Sequence, residues 1–150
     1  MADEADAIDF ERRVRASFAR QRVMESIGAT LTHVEAGAVE ITLPYRIDLT
    51  QQHGFIHAGI VATILDSACG YAAFSLMPPE MAVLTVEYKI NLLRPAKGNR
   101  LIARARVVRA GKTLTVCAGD AFAETDGVET GVATMLATVM AVEQRDDLRQ

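Results

Sequence analysis

The spacing of apolar residues changes character several times along the chain. Phe10, Val14, Phe18 and Val23 recur at helical intervals, which predicts one helix over Ile8 to Ser26, stopped by Gly28. Asp9 and Glu11 sit early, where they favour the helix dipole, and the arginines from Arg12 to Arg22 form a solvated face. Met1 to Ala7 reads as a frayed tail. Ala29 to Glu35 and Ala38 to Pro44 then alternate around Ala36-Gly37, as a hairpin does. A polar connection, Pro44 to Gln52, leads into the stretch that organises the rest, Gln51 to Pro79. From Ala58 to Pro79 this stretch carries a single charge, Asp66. Apolar residues lie at every angle of its helical wheel, so it predicts an enclosed helix. After Pro78-Pro79 the period drops to two. Strands are expected at Met81 to Leu93, Arg100 to Arg109, Thr113 to Glu124 and Glu129 to Val142. Turns at Arg94 to Gly98, Ala110-Gly111-Lys112 and Asp126-Gly127 join them, and the polar end, EQRDDLRQ, reads as loose. In the first of these strands Leu84, Val86, Tyr88, Ile90 and Leu92 fall on one face, with Thr85, Glu87, Lys89 and Asn91 opposite.

A helix, two strands, a buried helix and four strands are satisfied by an α+β arrangement. An antiparallel sheet of about six strands wraps one long central helix, with an extra helix at the N-terminus. The chain of 150 residues suits one domain, residues 1–150, with a core from about 10 to 142. On the central helix Asp66 shares a stripe with Gly59, Ala62, Thr63, Cys69, Gly70 and Ala73, all small. Such a stripe admits a close approach by a backbone or a ligand. A buried carboxylate needs a partner or a purpose. The stripe and the exposed edge of the sheet also call for a second subunit as a cover.

Composition narrows the function. A net charge of −3 argues against a nucleic-acid binder. The Asp66 helix is barely long enough to span a bilayer, holds a central charge and ends in two prolines, so no membrane role is expected. Cys69 and Cys117 sit in apolar runs and read as free thiols of a reducing compartment. The acidic N-terminus lacks the apolar segment of a signal peptide, which points to the cytoplasm. His33 and His53 lack metal-ligand spacing, so no metal is expected. Cys69 has no His or Lys nearby in sequence to activate it as a nucleophile.

The motif Gln51-x-x-Gly54-x-x-His57-Ala58-Gly59, followed by Asp66, resembles the hotdog-fold acyl-CoA thioesterases, and more narrowly the PaaI-like members of the phenylacetic-acid-degradation type. That family's pattern is Asn, Gly, His-Gly-Gly and then an acid on the central helix. Here Gln51 stands for the Asn and Ala58 for the first Gly. The resemblance implies hydrolysis of an acyl-CoA to free acid and CoA. It implies a site shared between subunits, in keeping with the homodimer, itself pairing into a tetramer, that the uncovered stripe and sheet edge call for. Thr85 falls where relatives carry a small hydroxyl residue. RPAKG, with Arg94 and Lys97, and RAGKT, with Gly111 and Lys112, resemble turns that relatives place near the CoA nucleotide. No cofactor beyond the CoA of the substrate is implied.

The chemistry fits those residues. Helix-start N–H groups lack intrahelical partners, so those of Ala58 and Gly59 are candidates to hold a developing oxyanion. Asp66, about two turns on, could serve as general base or as nucleophile. Gln51 and Thr85 could hold the water or the carbonyl. His57 either joins the site or orders the loop before the helix. The acyl group is expected to be apolar, aromatic or medium-chain, since few polar specificity groups are nearby. A non-catalytic acyl-CoA-binding protein and a hotdog dehydratase or hydratase are the alternatives.

Overall fold

The computed structural model describes residues 4–150, with side chains from Asp9 onward. Two N-terminal helices, α1 (Glu4–Arg20) and α2 (Arg22–Ile27), precede the hairpin β1 (Thr30–Glu35) and β2 (Ala38–Pro44). A short 3-10 turn, Ile47–Leu49, leads to the central helix α3 (Ala58–Phe74). Four strands follow: β3 (Met81–Leu92), β4 (Arg100–Ala110), β5 (Leu114–Thr125) and β6 (Val128–Glu143). They form one sheet in the order β1-β2-β4-β5-β6-β3, antiparallel throughout. The helix inserted between β2 and β3 sends β3 to the far edge, and β4 returns to pair with β2. This is the hotdog arrangement, a sheet curled around one helix.

The core lies between α3 and the concave face of the sheet. Ile64, Leu65, Ile41, Leu43, Leu101 and Val139 are fully enclosed. Burial of each such side chain contributes about 1.5–3 kcal/mol. Gly119 on β5 lets the helix come close: a Cβ there would stand 3.1 Å from Cys69 Sγ and 3.2 Å from Leu65 Cδ2.

Four expectations are corrected. The first helix is two helices, because the chain breaks at Gln21 (φ −79°, ψ 94°). No Gly or Pro marks that break, so tertiary contacts set it. Helix α1 also begins at Glu4, inside the segment read as frayed, while Met1 to Asp3 lie outside the described residues.

The second correction concerns β3. A bulge at Val86 shifts its register against β6: Thr85 pairs with Val139, but Glu87 pairs with Thr138. The bulge turns Thr85 to the concave face, together with Tyr88, Ile90 and Leu92. Unbroken alternation had put Thr85 on the opposite side.

The third concerns the small-residue stripe of α3. Only its first half is open. Cys69 and Ala73 are 0% and 1% exposed within the single chain, and Gly70 is buried too. The N-terminal helices do part of the covering. Phe18 packs on Tyr71 with ring centroids 5.8 Å apart, and Arg13 lies over the Phe74 ring. The last correction is the C-terminal segment. Gln144 Nε2 donates to the carbonyls of Pro79 and Met81, and the Gln150 side-chain oxygen accepts from Val83 N–H at 3.0 Å. The segment therefore docks on the first residues of the edge strand β3 rather than hanging loose.

Candidate active site

Helix α3 starts at a capped end. His57 is the N-cap, and its Nδ1 accepts a hydrogen bond from Gly59 N–H at 2.9 Å. A Cβ on residue 59 would come 3.1 Å from that nitrogen, so glycine suits the cap. His57 thus orders the helix start, and in doing so it occupies the Gly59 N–H. The Ala58 N–H makes no hydrogen bond among the described residues. Of the two oxyanion donors considered from sequence, only Ala58 is left free.

Gln51 lies in a tight turn in front of this end. Its N–H donates to the Phe55 carbonyl, and its side-chain oxygen accepts from the His53 N–H. The amide oxygen is therefore used locally, and Nε2 is the group left to act outward. Ile56 N–H donates to Ala96 O at 2.8 Å, which ties the turn to the RPAKG loop. Gln51, Ala58 and Arg94 consequently line one cavity of about 380 Å³, with Phe55, Val61, Leu92, Leu93 and Val132 as its apolar wall. Arg94 is held there by donating to Gly131 O at 2.9 Å. Lys97, in the same loop, is exposed.

Asp66 stands two turns further along the open half of α3. Its Oδ1 accepts a hydrogen bond from Thr85 Oγ1 at 2.7 Å, a contact that the bulge at Val86 makes possible. The two line a small pocket of about 90 Å³, walled also by Gln21, Ser67, Gly70, Tyr71, Val83 and Gln150. At 1.5 Å per residue, Asp66 lies about 12 Å along the helix from Ala58. Gly111 and Lys112 are farther still, at the C-terminal end of α3 beside Leu76, Met77 and Met81. A single chain thus groups Gln51, Ala58 and Arg94, separately pairs Asp66 with Thr85, and leaves Gly111 and Lys112 at the opposite end.

The two thiols are free and buried. Burial pushes the Cys69 thiol far above its ordinary range, and burial pushes that of Cys117 up to about 11. Gln21, Ser67, Tyr71 and Gln150 were not singled out from sequence as neighbours of Asp66. They come from three separate stretches of chain, Ser67 and Tyr71 sharing α3 with Asp66. The nearest thing to a signal was Ser67, adjacent to the lone acid.

Comparison with known proteins identifies the family and the fold. The thioesterase superfamily profile matches residues 53–130. A thioesterase family protein from Silicibacter pomeroyi is 57% identical, with a TM-score of 0.88, over 90% of this chain and 99% of its own. A Halobacterium salinarum protein bearing an esterase name is 34% identical over 74% of this chain and 76% of its own. The PaaI protein of the Escherichia coli phenylacetic acid degradation operon shares the fold. Its TM-score is 0.80 at 19% identity, covering 91% of this chain and 95% of its own. The chain belongs to the thioesterase superfamily, a class whose name denotes thioester hydrolysis, and it has the hotdog fold. Among the described residues, no helix is long and apolar enough to cross a membrane.

Proposed function

We propose that this protein is an acyl-CoA thioesterase that acts as a two-fold dimer with each site built from both chains. One observation carries the reading. The one open stretch of α3 holds an unpaired N–H at its start, on Ala58, and a carboxylate anchored by Thr85 two turns on. A separation of about 12 Å is too great for one carbonyl to meet both groups in the same chain. An antiparallel second copy of the helix brings the start of one helix opposite the middle of the other. The exposed edge and concave face of β3, where Tyr88 and Leu92 are 43% and 55% exposed, supply apolar surface for that partner. The same antiparallel arrangement sets the Gly111-Lys112 turn of one chain on the side of the other chain's Arg94 and Lys97, where the CoA phosphates would be met. Two such dimers pairing into a tetramer is compatible with it.

The reaction follows from those groups. The thioester carbonyl oxygen accepts from the Ala58 N–H, while the Gln51 amide steadies the same end. Asp66 takes one proton from a water as the water oxygen bonds to the carbonyl carbon. The resulting oxyanion collapses, the carbon–sulfur bond breaks, and the sulfur takes the proton back from Asp66. Water and acyl-CoA thus become carboxylic acid and CoA thiol, with no cofactor consumed. The polar pocket beside Asp66 supports water delivery over direct attack by the carboxylate. The apolar wall of the larger cavity supports an aromatic or medium-chain acyl group. The cytoplasm, where CoA esters and free thiols coexist, is the compartment that suits this chemistry.

The test uses thiol release across a panel of acyl-CoAs and two variants. Ala58→Pro removes the N–H at the first helical position, where proline is tolerated. His57 already has the extended backbone that a following proline requires (φ −58°, ψ 137°). Asp66→Asn removes the base. Each variant alone should lose at least about 100-fold in turnover. Unfolded together and refolded, they pair at random. Half the dimers are mixed, each with one site carrying both defects and one carrying neither. About a quarter of wild-type activity should return, as two-fold symmetry requires. Confirmed mixed dimers without recovery would rule out the shared site. Saturable CoA-ester binding without thiol release would make the protein a binder instead.

A further inference from the structure

The Asp66 pocket contains a second organised group. Gln21, the single residue between α1 and α2, occupies the N-cap position of α2, yet its side chain makes no capping hydrogen bond. Ser, Thr, Asp or Asn would serve a cap better. The Gln21 side chain instead reaches α3, where its Oε1 accepts from Ser67 Oγ at 2.9 Å. Ser67 is the residue next to Asp66. That bond uses the amide oxygen and so orients the amide. Nε2, with its two hydrogens, has no partner among the described residues.

The pocket shared by Gln21, Asp66, Ser67 and Thr85 measures about 90 Å³. That is room for a few waters at roughly 30 Å³ each, and polar walls keep such waters in place. The Thr85 hydroxyl already donates to Asp66 Oδ1, which leaves Oδ2 as the open acceptor. A water that donates to Oδ2 and accepts from Gln21 Nε2 has its orientation defined. Its remaining lone pair is available to attack, and the proton to be removed already points at the base.

We propose that Gln21, held by Ser67, is a positioning residue that orients the hydrolytic water of Asp66. The proposal rests on the thioesterase reading and goes beyond it. A purely structural Gln21 would need only its oxygen, to tie the helix break to α3. The proposal assigns the work to the nitrogen.

Thiol release with Gln21→Met, Gln21→Glu, Ser67→Ala and Asp66→Asn tests it. Gln21→Met keeps an unbranched side chain and removes both amide groups. Its kcat should fall about 10-fold, the worth of one hydrogen bond in the transition state, with KM within about two-fold. Gln21→Glu sets a second negative charge beside Asp66. Like charge disfavours the ionised base, so the rising limb of the kcat–pH profile should move to higher pH. Ser67→Ala should lower kcat by less than Gln21→Met. Wild-type kcat in a folded Gln21→Met, or an unmoved pH limb in Gln21→Glu, overturns the proposal. If Asp66→Asn is inactive in the same experiment, the thioesterase reading stands without it. A wild-type protein that releases no thiol from any ester removes both.

Discussion

The two halves of α3 look alike in sequence and differ in what surrounds them. From Ala58 to Asp66 the outward stripe of Gly59, Ala62, Thr63 and Asp66 stays partly open. From Ser67 to Phe74 every residue is buried. Both halves are built from small residues, but for opposite reasons. In the second half Ala68, Cys69 and Ala72 are small because the sheet, at Gly119, and the N-terminal helices press close. In the first half the described residues leave Gly59 exposed and cover Ala62, Thr63 and Asp66 only in part. On the proposed dimer reading, smallness there keeps room for the partner helix and the substrate. A run of small residues therefore carries no functional meaning until its neighbours are known.

The sharpest way to break this comparison is at the boundary between the halves, where Asp66 and Leu65 are adjacent. Asp66→Asn should reduce thiol release by at least about 100-fold. The melting temperature should stay near wild type, because the amide oxygen can still accept from Thr85. Near-normal turnover in the folded variant would remove Asp66 from the chemistry. Leu65→Ala should do the reverse. Leu65 is fully buried, and its truncation should cost about 2–5 kcal/mol in denaturant unfolding. Residual folded protein should keep much of its kcat. If Leu65→Ala abolished turnover in fully folded protein, the division between packing and chemistry along α3 would be wrong.

A smaller effect is expected at the capped start of the open half. His57→Ala frees the Gly59 N–H and removes the cap, at about 1 kcal/mol of stability. Urea unfolding of this variant beside His57→Asn, which restores a capping side chain, should show most of the loss recovered. No recovery would mean that His57 stabilises the helix start by other contacts.

The smallest effect lies on the outer face of the sheet, far from α3. Arg104 bridges Glu40 and Glu129, at 2.8 Å and 2.6 Å. Its hydrogen bonds hold the Glu129 carboxyl below the usual range. For Glu40, partial burial pushes up, but hydrogen bonds from Thr32 and Arg104 outweigh it and the net direction is down. Carboxylates depressed in the folded state stabilise it above the unfolded value of 4.5, and that stability is lost as pH falls through the folded values. These groups are partly exposed at the surface of the sheet, where solvent screens them, so Arg104→Met should cost less than about 1 kcal/mol near neutral pH. The gap in melting temperature from wild type should close as pH drops below about 4.5. A gap that persists at pH 3 would assign the effect to packing of Arg104 on Phe122 instead.

Much of this molecule follows from local pattern alone. Period-two alternation places β2 at Ala38–Pro44, and the later strands come within a residue of their observed ends, because sheet faces impose that period whatever lies beyond them. The all-round apolar character of α3 announced its enclosure, since no face of it suits water. The lone acid and the His57-Ala58-Gly59 start were likewise visible, because charge and small residues stand out in an apolar run. Three things were settled only by the folded structure, the first two by long-range contacts and the third by a side-chain rotation. The break at Gln21 has no local breaker, and the residues that accompany it, Ser67 and Tyr71, are some fifty positions away. The bulge at Val86 reverses the phase of half a strand, and nothing in the alternation of Leu84 to Leu92 betrays it, because both phases present apolar residues. The use of the Gly59 N–H depends on where the His57 ring turns, which leaves Ala58 as the free donor. Periodicity reports which face of an element is wet. Only the assembled neighbours decide which hydrogen-bonding groups along that face remain free to act.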